Sequence, residues 1–75
     1  MNQLNNREIG QRIRRLRRNR NLSQEKLAEY LDISTVHLSH IESGTKRFSL
    51  VLCVKMASYF NASVDFILFG HNLYE

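Results

Sequence analysis

The side chains with most to offer chemically fall between Gln24 and Arg47. Thr35 can donate and accept a hydrogen bond. His40 can donate to a carbonyl or ring-nitrogen acceptor or to a phosphate, and Val36 offers only apolar contact. This is equipment for reading a polar, methylated, anionic surface rather than for making or breaking bonds. Elsewhere the chain offers no Ser-His-Asp, Cys-His or paired-carboxylate arrangement that can be placed around a cleft, and a domain of 75 residues is expected to lack a sizeable pocket. The expectation is therefore a protein that is not an enzyme. His37 and His40 are three apart and could hold a metal between them, but zinc needs a third or fourth ligand and Cys53 sits in an apolar run. Contact with a partner or plain surface exposure suits both histidines better, and neither a metal nor a cofactor is expected.

Those residues need elements to carry them, and helices are the elements on offer. The chain has no proline and three glycines. Ile9, Ile13 and Leu16 recur on one helical face, so a first helix is expected from about Arg7 to Arg20, with Asn21 as a left-handed stop. Residues 1–6 are polar and expected to fray. Ser23 caps a second helix, Gln24 to Leu31, whose inward face is Leu27, Ala28 and Leu31. Asp32 and Ile33 make the turn. Ser34 caps a third helix, Thr35 to Ser43, with Leu38 and Ile41 inward and Gly44 as the stop. Ser49 caps a fourth that runs to about Phe60 and ends at Asn61. Ser63 caps a short fifth that Gly70 closes. The fold class expected is all-α: five helices in one domain over residues 1–75, with an interface tail at 70–75.

Two short helices joined by a tight turn between Gln24 and Ser43 have the spacing of a helix-turn-helix. The alternative is a plain helical hairpin in a bundle. With Leu38 and Ile41 turned inward, Thr35, Val36 and His40 face out. In this motif the second helix enters the DNA major groove. A thymine methyl is the natural counterpart of Val36, and a guanine acceptor or a phosphate that of His40. The N-termini of the second and third helices, at Gln24 and Ser34, present free backbone N–H groups that suit phosphate.

The strings IGQRIRRLRRNRNLSQEKLAEYLDIS, HLSHIESGTKRFSL and NASVDFIL together resemble the helix-turn-helix family of the lambda and 434 repressors and Cro proteins, over about Ile9 to Leu68. The resemblance implies a compact five-helix domain whose third helix reads double-stranded DNA. It implies that Gln24 approaches the DNA, that Thr35, Val36 and His40 occupy base-reading positions, and that Lys46 and Arg47 lie in a loop touching the phosphate backbone. It also implies a semi-buried ion pair between Arg17 and Glu42. The chain departs from the family pattern at Asp32, where glycine is common, at Phe48, where a proline often precedes helix four, and at Val36, where a polar residue is usual.

Charge distribution points the same way. The formal net charge is +4, and residues 1–20 carry seven arginines against the single acid Glu8. Such a face meets a polyanion or simply stays solvated. Arg14, Arg15 and Arg18 are open to either role. Cys53, the only cysteine, is expected to be a buried small hydrophobe. No apolar run is long enough for a membrane span and Met1 to Ile9 has no signal-peptide core, so the protein is read as cytoplasmic, with no membrane partner.

Val51, Leu52, Tyr59, Phe66, Phe69, Leu73 and Tyr74 look like more apolar side chain than so small a monomer buries. A homodimer through helices four and five and the tail is expected, with Phe66, Phe69, Leu73 and Tyr74 at its interface. The alternative is that these side chains thicken the core. The function expected is a phage-type transcriptional repressor acting by occupancy as a dimer on a two-fold operator, with no sensor domain after residue 75. The competing reading is an antitoxin, or another module that binds a small protein partner and regulates its own operon.

Overall fold

Each helix starts where a polar side chain accepts a hydrogen bond from the backbone N–H three residues on. Residues 4–71 are described by the computed structural model, and they form α1 (Asn6–Asn19), α2 (Gln24–Leu31), α3 (Thr35–Ser43), α4 (Leu50–Phe60) and α5 (Val64–Phe69). Ser23, Ser34, Ser49 and Ser63 accept from Lys26, His37, Leu52 and Phe66, at 3.1, 2.9, 3.2 and 2.9 Å. The stops are equally local. Asn21, Asp32 and Asn61 take left-handed conformations with φ of 53°, 60° and 53°, and Gly44 and Gly70 do so at 81° and 85°. One boundary differs from the sequence reading. Asn5 and Asn6 are not frayed: Asn5 Oδ1 accepts from Glu8 N at 3.0 Å and opens α1 one residue early.

The core joins all five helices. Ile9 and Ile13 of α1 meet Leu27 and Leu31 of α2, Leu38 and Ile41 of α3, Met56 and Phe60 of α4, and Ile67 of α5, all buried. Helix α1 lies against α3 so closely that a Cβ on Gly10 would fall on the carbonyl oxygens of Ile41 and Glu42. Only glycine permits that approach, which the apolar pattern of α1 does not reveal.

Three of the seven N-terminal arginines are internal ties. Arg12 Nη1 donates to the Ile67 carbonyl at 2.8 Å, and the α5 stop at Gly70 rests against its guanidinium. Arg20 donates to the carbonyls of Tyr59 and Phe60, at 3.0 and 2.8 Å, and lies over both rings. Arg17 serves the buried cluster described below. Cations at the open C-terminal ends of α4 and α5 also complement the helix dipoles.

Candidate nucleic-acid interface

The third helix is held in place by one buried carboxylate. Glu42 leaves α3 from its inner side and its side chain is fully buried. Arg17 approaches it in fork fashion, with Nε at 2.7 Å from Oε2 and Nη2 at 3.1 Å from Oε1. Its remaining nitrogen Nη1 donates to Leu22 O at 2.8 Å, in the link between α1 and α2. Gln24 Nε2 donates to Glu42 Oε1 at 3.0 Å, and Arg14 Nε reaches the same oxygen at 3.4 Å. Burial by itself would raise the Glu42 pKa. The hydrogen bonds from Arg17 and Gln24, the Arg17 charge and the Arg14 bond outweigh it, so the carboxyl is held below its ordinary value. The cluster joins α1, α2 and α3 at one point and fixes the direction in which α3 points.

What then faces outward can be stated residue by residue. Val36 is 66% exposed, with no apolar neighbour needed to explain it. Thr35 is half-buried, and His40, one turn beyond Val36, is exposed. Ser39, one turn beyond Thr35, is exposed on the same side and is absent from the motif reading. Its signal was the four-residue spacing alone. Ser34 is engaged as the α3 cap, and His37 is half-buried beside it. Gln24 is half-buried at the start of α2 with its amide nitrogen on Glu42. Lys46 and Arg47 are exposed in the loop that follows α3.

That loop is not independent of the helix. The backbone N–H groups of Thr45 and Lys46 turn back to His40 O, at 3.0 and 3.4 Å. Thr45 Oγ1 lies 3.1 Å from His40 Nδ1 and 3.0 Å from Ser43 Oγ, which ties the imidazole to the loop through its Nδ1. Thr45 is a second position that motif matching misses, because the link depends on the tight turn at Gly44. Arg15 and Arg18 are exposed and Arg14 half-buried, forming with Gln11 and Asn19 a basic depression on α1. Among the described residues no cluster of three His, Cys, Asp or Glu side chains could hold a metal ion. Cys53 is buried, and burial pushes its thiol pKa up.

The apolar surplus resolves into two groups. Leu52 belongs to the core, and Tyr59 is half-buried against Tyr30 and Phe60, with ring centroids 4.3 and 5.1 Å apart. Those two thicken the core instead of forming surface. Val51 and Val54 of α4 are exposed, and Phe66 is 37% exposed. Phe69 is half-buried, while Leu73 and Tyr74 lie outside the described residues.

Compared with known proteins, the sequence matches the helix-turn-helix family over residues 13–67, and the chain belongs to that family. Among solved structures it is similar to the restriction-modification controller protein C.AhdI from Aeromonas hydrophila, at 31% identity and a TM-score of 0.75, covering 83% of this chain and 94% of that one. It is also similar to SinR of Bacillus subtilis, described as a master regulator for biofilm formation and solved in complex with DNA. There the identity is 30% and the TM-score 0.72, over 79% of this chain and 95% of that one. The P22 c2 repressor, solved with a synthetic operator, shares the fold at 24% identity and a TM-score of 0.79, over 93% and 100% of the two chains. No curated protein is significantly similar to the sequence. The described residues share the five-helix fold of these neighbours, and the family is one of helix-turn-helix transcriptional regulators. Among the described residues no helix is long and apolar enough to cross a membrane.

Proposed function

We propose that this protein binds double-stranded DNA sequence-specifically, as a homodimer, and represses transcription by occupying a two-fold operator. Exposed Val36 carries the reading. An apolar side chain in water on an otherwise polar helix face adds nothing to the fold, whereas in a major groove it meets a thymine methyl. Thr35, Ser39 and His40 supply the polar contacts beside it. Lys46 and Arg47 stand at the end of the same helix to meet phosphate. Gln24, Ser34 and His37 lie at the helix starts, where a phosphate would also approach. Leu50, Val51 and Val54 of α4, with Phe66 and Phe69 of α5, are among the apolar side chains available to a second copy. C.AhdI, a restriction-modification controller protein, and SinR, a master regulator for biofilm formation solved with DNA, support the regulatory role.

The test is selection of bound duplexes from a random library at about 150 mM salt, near physiological ionic strength. The expected product is a two-fold symmetric motif, its half-sites about one helical turn apart, with a thymine whose selection is lost in Val36→Ala. Salt-sensitive binding with no enriched sequence would overturn sequence-specific repression and favour a module that needs a protein partner.

A further inference from the structure

A domain this small was expected to lack a sizeable pocket, yet it has one, beside the loop that follows α3. A cavity of about 360 Å³ opens between the start of α1, the 45–49 loop, the first turns of α4 and the side of α5. This is within the roughly 300–1,000 Å³ range of small-ligand sites. Its buried and half-buried surface is Ile9, Phe48, Cys53 and Leu68 with one polar residue, Asn6, and the exposed side chains of Leu4 and Leu50 stand at its mouth. Among the described residues no carboxylate lines it, and the one charged lining residue is Arg47, which makes no hydrogen bond or ion pair with another described residue. The positive end of the α4 dipole, at Ser49 and Leu50, lies on the same rim. A largely apolar chamber with Arg47 as its one charged lining residue among those described complements one chemistry: an apolar body that ends in an anion.

We propose that this cavity binds a small amphipathic carboxylate, and that its occupation weakens DNA binding by engaging Arg47. The second half rests on the reading of Arg47 as a phosphate contact; the first half does not. Bidentate pairing of a guanidinium with a carboxylate is geometrically matched, and a carboxylate so held competes with a DNA phosphate for the same fork. Because binding free energies are reciprocal, DNA must in turn weaken the ligand by the same factor. The device would give an occupancy regulator a chemical input within the DNA-binding domain itself.

The experiment follows backbone amide shifts of the full chain during titration with decanoate, and separately with decanol, below micelle formation. Decanoate should saturate, with shifts centred on Ile9, Phe48, Cys53 and Leu68, and bind about tenfold or more tightly than decanol, equal to about 1.4 kcal/mol. Arg47→Gln, an exposed substitution that should fold, should abolish that preference. Cys53→Met, placing bulk in the chamber, should weaken both ligands while leaving DNA affinity unchanged, with thermal melting as the check on folding. With the selected duplex, saturating decanoate at constant ionic strength should lower DNA affinity about fivefold or more, and decanol should not. Equal binding of decanoate to the parent and Arg47→Gln proteins overturns the site. So does binding that appears only when residues 1–3 are deleted, which would make that segment the occupant. If decanoate binds and the duplex affinity is unmoved, the regulatory half is overturned alone. If no duplex is bound at all, the regulatory half falls with the DNA reading and the site stands.

Discussion

Replacing Glu42 with glutamine removes one charge and almost no volume from the point where three helices meet. The change leaves Arg17, whose side chain is 10% exposed, facing a neutral amide in place of a carboxylate at 2.7 Å. Removing one partner of a buried pair costs about 3–5 kcal/mol, because the other charge stays desolvated. The amide can still accept one bond and Arg17 keeps Leu22 O, so the lower end, about 3 kcal/mol, applies. A domain of this length has only roughly 4–11 kcal/mol of stability, and the melting temperature should fall by roughly 12–24 °C. Urea unfolding followed by circular dichroism gives the free energy directly. The pH dependence adds a second readout with a definite sign. A carboxyl whose folded pKa is depressed contributes stability that is fully present above its unfolded value of 4.5 and lost as pH falls through the lower folded value. The parent protein should therefore lose this contribution below about pH 4.5, and Glu42→Gln should lose that part of its acid sensitivity. Replacing the pair together, Arg17→Met with Glu42→Leu, should recover most of the loss. A Glu42→Gln protein that melts within about 2 °C of the parent, less than 1 kcal/mol at this size, would refute the assignment of Glu42 as the clamp. An unchanged acid limb would do the same.

Other expectations are as direct. Gly10→Ala should destabilise the fold by about 1–3 kcal/mol in the same urea assay, since a Cβ there meets two backbone carbonyls that cannot move aside. Thr35→Ala and His40→Ala should each cost about 1–3 kcal/mol of specific DNA affinity at one base position, with melting unchanged. Lys46→Ala should weaken all duplexes alike and flatten the slope of log affinity against log salt by about 0.9, measured by fluorescence anisotropy. Val54→Glu should leave the helical content intact and shift sedimentation toward the monomer; a dimer that survives it does not use this face of α4.

How much of this was legible in advance depended on the range of the interactions. The helices were readable because caps and stops are local. A serine hydroxyl reaches the N–H three residues on, and an asparagine, aspartate or glycine accepts positive φ at the next link. Asn5 was missed for an equally local reason, since the polar run at the N-terminus resembles a frayed end. The outward face of α3 was legible because Leu38 and Ile41 set its phase, which forces Val36 and His40 to the other side. Ser39 needed only the same arithmetic.

Other features depended on distance along the chain. The arginines of α1 look alike in sequence and as an undivided basic run. Only packing assigns Arg12 and Arg20 to helix ends 55 and 40 residues away and Arg17 to Glu42, leaving Arg7, Arg15 and Arg18 at the surface. Leu52 and Val51 are neighbouring aliphatic residues, yet one faces the core and one faces water, because tertiary contact fixes the rotation of α4. The Gly10 approach and the cavity beside Arg47 likewise arise from backbones that meet only when folded. The sequence by itself determined the five helices, their ends and the phase of α3, because those rest on bonds spanning a few residues. The tertiary structure decided which charges are internal, which apolar residues remain exposed and where an opening exists, because those depend on groups that only folding brings together.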